Sequence, residues 1–252
     1  MADHFREIGI APFVQETDVA PPPPERLVVV LHGMRDDGFW RHTFQAEADR
    51  FVSGRVAIEA VNFGRLDTWA FLTGSKARLI EEFVLGRIAT IVARHPDARL
   101  FFFAHSYGTS VLARLVPRIE RRITGVFLAG AICHPIDAGL FDSVETFVVN
   151  ECGVHDVWPL VAATVKPSVY GPVGTCGFNG APIVDRFFRY DHSGALTQEH
   201  FRHWVLPAIV TERLRRSKPI DPGWRKHVPV YARRCLVIAV AALILVVALQ
   251  LG

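Results

Sequence analysis

A doubly wound, mostly parallel α/β sheet, followed by one C-terminal transmembrane helix, is the fold class that this 252-residue sequence predicts. Three observations predict it. Short, wholly apolar runs, suited to strands buried on both faces, alternate with longer stretches of helical period. The stretch Arg99–Val116 changes from strand period to helix period across one tight turn with a serine at its centre. The last run, Cys235–Leu251, carries a single polar side chain, Gln250, in about 17 positions.

Composition narrows the classes. Half of the residues are apolar, enough for one sizeable core. The 28 basic and 25 acidic side chains are interspersed, so no basic patch marks a nucleic-acid partner. Cys133, Cys152, Cys176 and Cys235 have neither Cys-x-x-Cys spacing nor a disulfide framework, and read as free thiols of a reducing compartment. The first residues, MADHFREIGIAPF, mix acids and bases and lack the apolar run of a signal peptide.

Residues 1–25 end in Pro21–Pro24 and read as an extended arm. Leu27–Leu31 is a buried strand that runs into His32-Gly33-Met34. The glycine lets the chain turn so that the backbone N–H of Met34 faces the serine of the central stretch. His32 reads as a brace for this loop, not as a proton carrier. Phe39–Phe51 is a helix with Phe44, Ala48 and Phe51 on one face, and Arg55–Val61 is a strand. The loop Asn62–Gly74 holds Phe63, Trp69 and Phe71, which either line an acyl pocket or pack on their own core. Ser75–His95 is an amphipathic helix carrying Leu79, Ile80, Phe83, Val84, Ile88, Ile91 and Val92, stopped by Pro96.

The central stretch comes next. Leu100–Phe103 is a strand, Ala104-His105-Ser106-Tyr107-Gly108 a sharp turn, and Val111, Leu112, Leu115 and Val116 fall at helical spacing. This is the layout of a nucleophile elbow, Gly-x-Ser-x-Gly, with Ala104 in place of the first glycine. Only small residues fit two before and two after the serine. The turn lifts the Ser106 hydroxyl above the sheet edge and aims the Tyr107 N–H into the site, where with that of Met34 it forms an oxyanion hole.

Pro117–Arg122 is a solvated connector, Ile123–Ala129 a strand, Gly130–Asp142 a loop and Thr146–Val149 a strand. The strand opens into Asn150–Pro159, where Gly153, Asp156 and Pro159 have the spacing of an acid-bearing loop at the carboxyl end of a strand. Asp156 is the candidate carboxylate, and Glu151 is the alternative. Lys166–Pro182, rich in Gly and Pro, reads as an irregular crossover with a short strand near Thr175–Phe178. His192, in the polar turn Asp191–Gly194 ahead of a helix capped by Thr197 and running to about Leu214, is the candidate general base. His200 and His203, inside that helix, read as structural or exposed.

The order Ser106, Asp156, His192, with His32-Gly33 ahead of it, resembles the α/β-hydrolase superfamily on its lipase and esterase side, from about Arg26 to Leu214. The resemblance implies a doubly wound sheet of the α/β-hydrolase type and hydrolysis of carboxylic esters, some of them lipidic, with no metal and no organic cofactor. Thioesters and amides would use the same groups. It departs from the family in Ala104 and in having no room for a large lid before the acid, which leaves Asn62–Gly74 or Lys166–Pro182 as the covers. A second reading keeps the fold without the chemistry, as a membrane-tethered binding or scaffold protein.

Residues 215–231 form a basic linker broken by Pro219, Pro222 and Pro229, and 232–252 the anchor. The apolar run is roughly 25 Å long as a helix, at the short end for a membrane span. It is apolar on every side, unlike a helix that packs on a sheet. Arg225, Lys226, Arg233 and Arg234 precede it and no charge follows, so the positive-inside rule places residues 26–214 on the cytoplasmic side of a tail-anchored protein.

Overall fold

Six strands form one sheet in the order β2-β1-β3-β4-β5-β6, with every neighbouring pair parallel. The strands are β1 (Arg26–Leu31), β2 (Val56–Val61), β3 (Arg99–His105), β4 (Ile123–Ala129), β5 (Phe147–Gly153) and β6 (Ile183–Phe188). This computed structural model describes residues 24–34, 38–64, 74–180, 182–218, 220–221 and 223. The expected arm, save for its last two residues, and the whole anchor lie outside them, as do Trp69 and Phe71. Among the described residues no helix is long and apolar enough to cross a membrane.

Strand alternation sends each run's apolar residues to both faces. Leu27, Val29, Leu31, Leu100, Phe102, Ala104, Val126 and Leu128 meet α2 (Ala77–Arg94) through Val84, Ile88 and Ile91, and α3 (Tyr107–Leu115) through Val111, Leu112 and Leu115. Val28, Val30, Phe101, Phe103, Phe127 and Val149 meet α1 (Trp40–Val52) and the C-terminal helix α6 (198–211). There Phe44 stacks on Phe201 at 4.3 Å, and both rings reach Phe103. Each such buried side chain contributes roughly 1.5–3 kcal/mol relative to exposure. Pro207 has no N–H to donate and its ring crowds the carbonyl of His203, and just before it α6 widens into a π-turn over Phe201–Val205.

Several expectations are corrected. Residues Ile183–Phe188, passed over in the sequence, form β6. The strand expected near Thr175–Phe178 is instead a short helix, α5 (Val173–Cys176), and a single bridge joins Tyr170 to Cys133. β5 runs on through Asn150 and Glu151 to Gly153 because both polar side chains find buried partners across the sheet. Phe51, Leu79 and Phe83, assigned to core faces, are exposed. Cys133, Cys152 and Cys176 are buried thiols, and burial pushes that of Cys133 up to about 12.

Candidate active site

The chain reverses its direction of sheet growth between β1 and β3, and the carboxyl ends of two such strands are where open parallel sheets place their ligand crevice. Ser106 sits there, between β3 and α3, with φ 53° and ψ −121°. A non-glycine residue holds this backbone conformation only when its surroundings impose it. They do so from three sides. Ser106 N–H donates to Ala129 O at the end of β4 (2.9 Å), and its carbonyl accepts from Thr109 N and Thr109 Oγ1. A Cβ on Gly108 would lie 2.7 Å from His32 O, so only glycine lets α3 come this close to β1. A Cβ on Gly33 would lie 3.0 Å from Ser106 Cβ, which puts the loop after β1 directly against the serine.

His32 sets that loop. Its Nδ1–H donates to Gly33 O (2.7 Å), and its Nε2 accepts from Phe63 N–H (3.3 Å) while the ring stacks on Phe63 at 4.1 Å. The two bonds together select the neutral tautomer with the proton on Nδ1. Gly33 C=O and Met34 N–H belong to one peptide plane and point opposite ways. Holding the carbonyl toward His32 therefore fixes the direction of the Met34 N–H. Tyr107 opens α3, beside Ser106, where the helix N-terminus favours negative charge.

Asp156 and His192 come together at the carboxyl ends of β5 and β6. Asp156 Oδ2 accepts from His192 Nδ1 at 2.8 Å. The carboxylate is almost wholly buried and the imidazole is 21% exposed. Trp158 N–H donates to Asp156 Oδ1 (3.0 Å), and Thr175 Oγ1 donates to the Asp156 carbonyl (2.7 Å). The crossover read as a candidate cover thus braces Asp156 through α5. Gly130, at φ 52°, closes β4 beneath the pair, and a Cβ there would lie 3.0 Å from the His192 ring and 3.2 Å from Asp156 Oδ2. Ala129 and Gly130 thus link the Ser106 backbone to the Asp156–His192 pair.

Glu151, the alternative acid, is turned to the opposite side. Its carboxylate binds the guanidinium of fully buried Arg186, with Nε to Oε2 at 2.9 Å and a second, shorter contact from Nη2 to Oε1. His200 Nε2 lies 3.6 Å away. Burial alone would raise the Glu151 pKa, but the charge of Arg186 and then that of His200 outweigh it and hold the carboxyl below its usual range. Arg186 also packs over the Trp204 ring at 5.2 Å.

Sequence reasoning passed over His105. Its ring packs on that of His192 at 4.7 Å, and its Nε2 donates to the His192 carbonyl at 2.9 Å. It fills an unspecified position of the elbow pattern, so no sequence signal distinguishes it. Among the described residues no group of three or more His, Cys, Asp or Glu side chains is gathered to hold a metal ion.

No protein-family model matches the chain. No curated protein sequence matches it. Among solved structures it is similar to a monoacylglycerol lipase from Paleococcus ferrophilus, with a TM-score of 0.50 and 12% identity over 76% of this chain and 96% of that one. It is also similar to an α/β serine hydrolase without a lid from Xanthomonas campestris, with a TM-score of 0.49 and 16% identity over 81% of this chain and 88% of that one. The likeness is one of fold, a parallel sheet of the α/β-hydrolase type.

Proposed function

We propose that the protein is a serine hydrolase that cleaves carboxylic esters through Ser106, His192 and Asp156, held at a membrane by its C-terminal run. The observation that carries the reading is Ser106 at φ 53° in the crevice beside Gly33, with the His192–Asp156 bond one strand-end away. Asp156 occupies Nδ1, so Nε2 is the nitrogen left to take the serine proton.

In this reading Ser106 Oγ bonds to the ester carbonyl carbon as its proton passes to His192 Nε2. The carbonyl oxygen becomes an oxyanion held by the N–H groups of Met34 and Tyr107. Asp156 stabilises the imidazolium. Collapse of the intermediate breaks the bond to the leaving alkoxide, which takes the proton from His192 and departs as the alcohol. Water then attacks the acyl-serine, giving its proton to His192, and that proton returns to Ser106 as the carboxylic acid leaves. The residues in place need no metal or organic cofactor for these steps.

The membrane placement rests on the apolar run 235–251 and on the basic residues ahead of it, which put the hydrolase domain on the cytoplasmic side. Treating the full chain with a fluorophosphonate probe tests the chemistry. Wild type should be labelled, and Ser106→Ala should lose both labelling and ester hydrolysis while melting as wild type does. Hydrolysis that survives in Ser106→Ala removes the assignment.

A further inference from the structure

Ester hydrolysis as proposed above uses groups on opposite sides of Ser106. Met34, an oxyanion donor, follows β1, whereas Asp156 and His192 follow β5 and β6 and lie over Gly130 at the end of β4. In the sheet order β2-β1-β3-β4-β5-β6 these stand on either side of β3, which leads into Ser106. When the bond from the carbonyl carbon to the leaving oxygen breaks, that oxygen takes the proton from His192 Nε2, so it lies about 3 Å from the nitrogen. The alcohol part of the ester therefore sits on the side of β4, β5 and β6.

Two rings approach that of His192 among the described residues. His105, at 4.7 Å, is buried. Trp158, at 6.3 Å, is 57% exposed. An alcohol group that reaches His192 from water thus meets the indole. Trp158 opens the helix α4 (Trp158–Val165), and its backbone is tied to the acid, since its N–H donates to Asp156 Oδ1 (3.0 Å) while Oδ2 holds His192. The surface beyond the indole is apolar. Val161, one turn on, and Val165, a further turn on, are exposed, as is Val157 just before the helix. Thr164 carries the hydroxyl of α4 and spends it inside the helix, donating to Leu160 O at 2.8 Å.

We infer that Trp158 selects the leaving group, and that the substrates are esters of apolar, aromatic alcohols rather than of glycerol or sugars. The inference rests on the ester hydrolysis proposed above and names the substrate class of that same site. A polyol on the leaving oxygen would give up hydrogen bonds to water and find no side-chain partner along α4. An aromatic alcohol loses nothing there. Its ring leaves water against the indole and gains the offset or edge-on contact that aromatic pairs favour. His192 then protonates the leaving oxygen, and the aromatic alcohol departs along α4 while the acyl group stays on Ser106.

Benzyl acetate and 2-hydroxyethyl acetate, whose alcohols are of comparable acidity, test the inference. They share one acyl group and pass through the same acetyl-serine, so the ratio of their kcat/KM values reports the alcohol alone. The full chain should favour benzyl acetate by at least tenfold. Trp158→Ala should lower that ratio at least fivefold, and Trp158→Phe, which restores a ring, should keep more than half of it. Measuring all three proteins in one buffer cancels any difference in how the two esters partition. Damage to the fold slows both esters together and leaves the ratio where it was, so a change in the ratio is not a structural effect. Equal ratios in wild type and Trp158→Ala overturn the inference and leave the ester hydrolysis standing. No turnover of either ester, together with no fluorophosphonate labelling, removes the hydrolase assignment and the inference with it.

Discussion

Replacing Gly130 by alanine separates backbone strain from active-site geometry. Gly130 has φ 52°, so any L residue there carries the left-handed penalty of about 1–2 kcal/mol. For a domain of this size that lowers the melting temperature by roughly 2–8 °C. The new methyl group also meets the His192 ring at 3.0 Å and Asp156 Oδ2 at 3.2 Å, both tighter than ordinary contact. The ring must retreat by a few tenths of an ångström, and the 2.8 Å bond to Asp156 lengthens or turns. Misplacement by 1 Å costs about a hundredfold in rate, so this smaller shift should cost about three- to tenfold in kcat. Gly54→Ala is the control, since φ is 74° there and nothing lies within 4 Å of the added atom. Both variants should melt lower by similar amounts, and only Gly130→Ala should turn over a soluble p-nitrophenyl ester more slowly. Full kcat in a folded Gly130→Ala protein would refute the claim that His192 and Asp156 set the rate.

Three further outcomes are expected. His32→Ala frees the Gly33–Met34 peptide and should lower kcat by about 10–100-fold with KM nearly constant, as partial loss of an oxyanion donor does; a matching rise in KM alone would instead assign His32 to substrate binding. Glu151 has a folded pKa below its ordinary 4.5, so its pairing with Arg186 contributes fully above that value and is lost as pH falls through the lower folded one. Glu151→Gln should therefore cost about 3–5 kcal/mol near neutrality, where it strands a buried guanidinium, and should flatten the acid limb of melting temperature against pH. Deleting residues 235–252 should move the protein from an alkaline-washed membrane pellet to the supernatant with soluble-ester turnover nearly unchanged, and an insoluble or inactive product would show the run to be a core helix.

Local signals in the sequence suffice for much of the frame. β1, β3 and β4 are runs such as LVVVL and FFF that no solvent-facing segment tolerates, and they form strands within a residue or two of expectation. The elbow is legible because a sharp turn between strand and helix demands small residues at fixed offsets, and Ala104 and Gly108 supply them. Asp156 and His192 are legible only by position after late strands, which names residues without bringing them together.

What the tertiary structure alone decides concerns partners far apart in sequence. Residues Ile183–Phe188 carry Asp185 and Arg186 in mid-strand, a pattern that reads as loop until each charge is seen paired. Asp185 accepts from Asn150 and from the backbone of Phe178 and Asn179, and Arg186 meets Glu151, itself 35 residues earlier. A buried charge is tolerable only with its partner, and a partner across the sheet leaves no mark in local periodicity. The same holds for His105, whose neighbour His192 arrives only when the loop after β6 folds over β3.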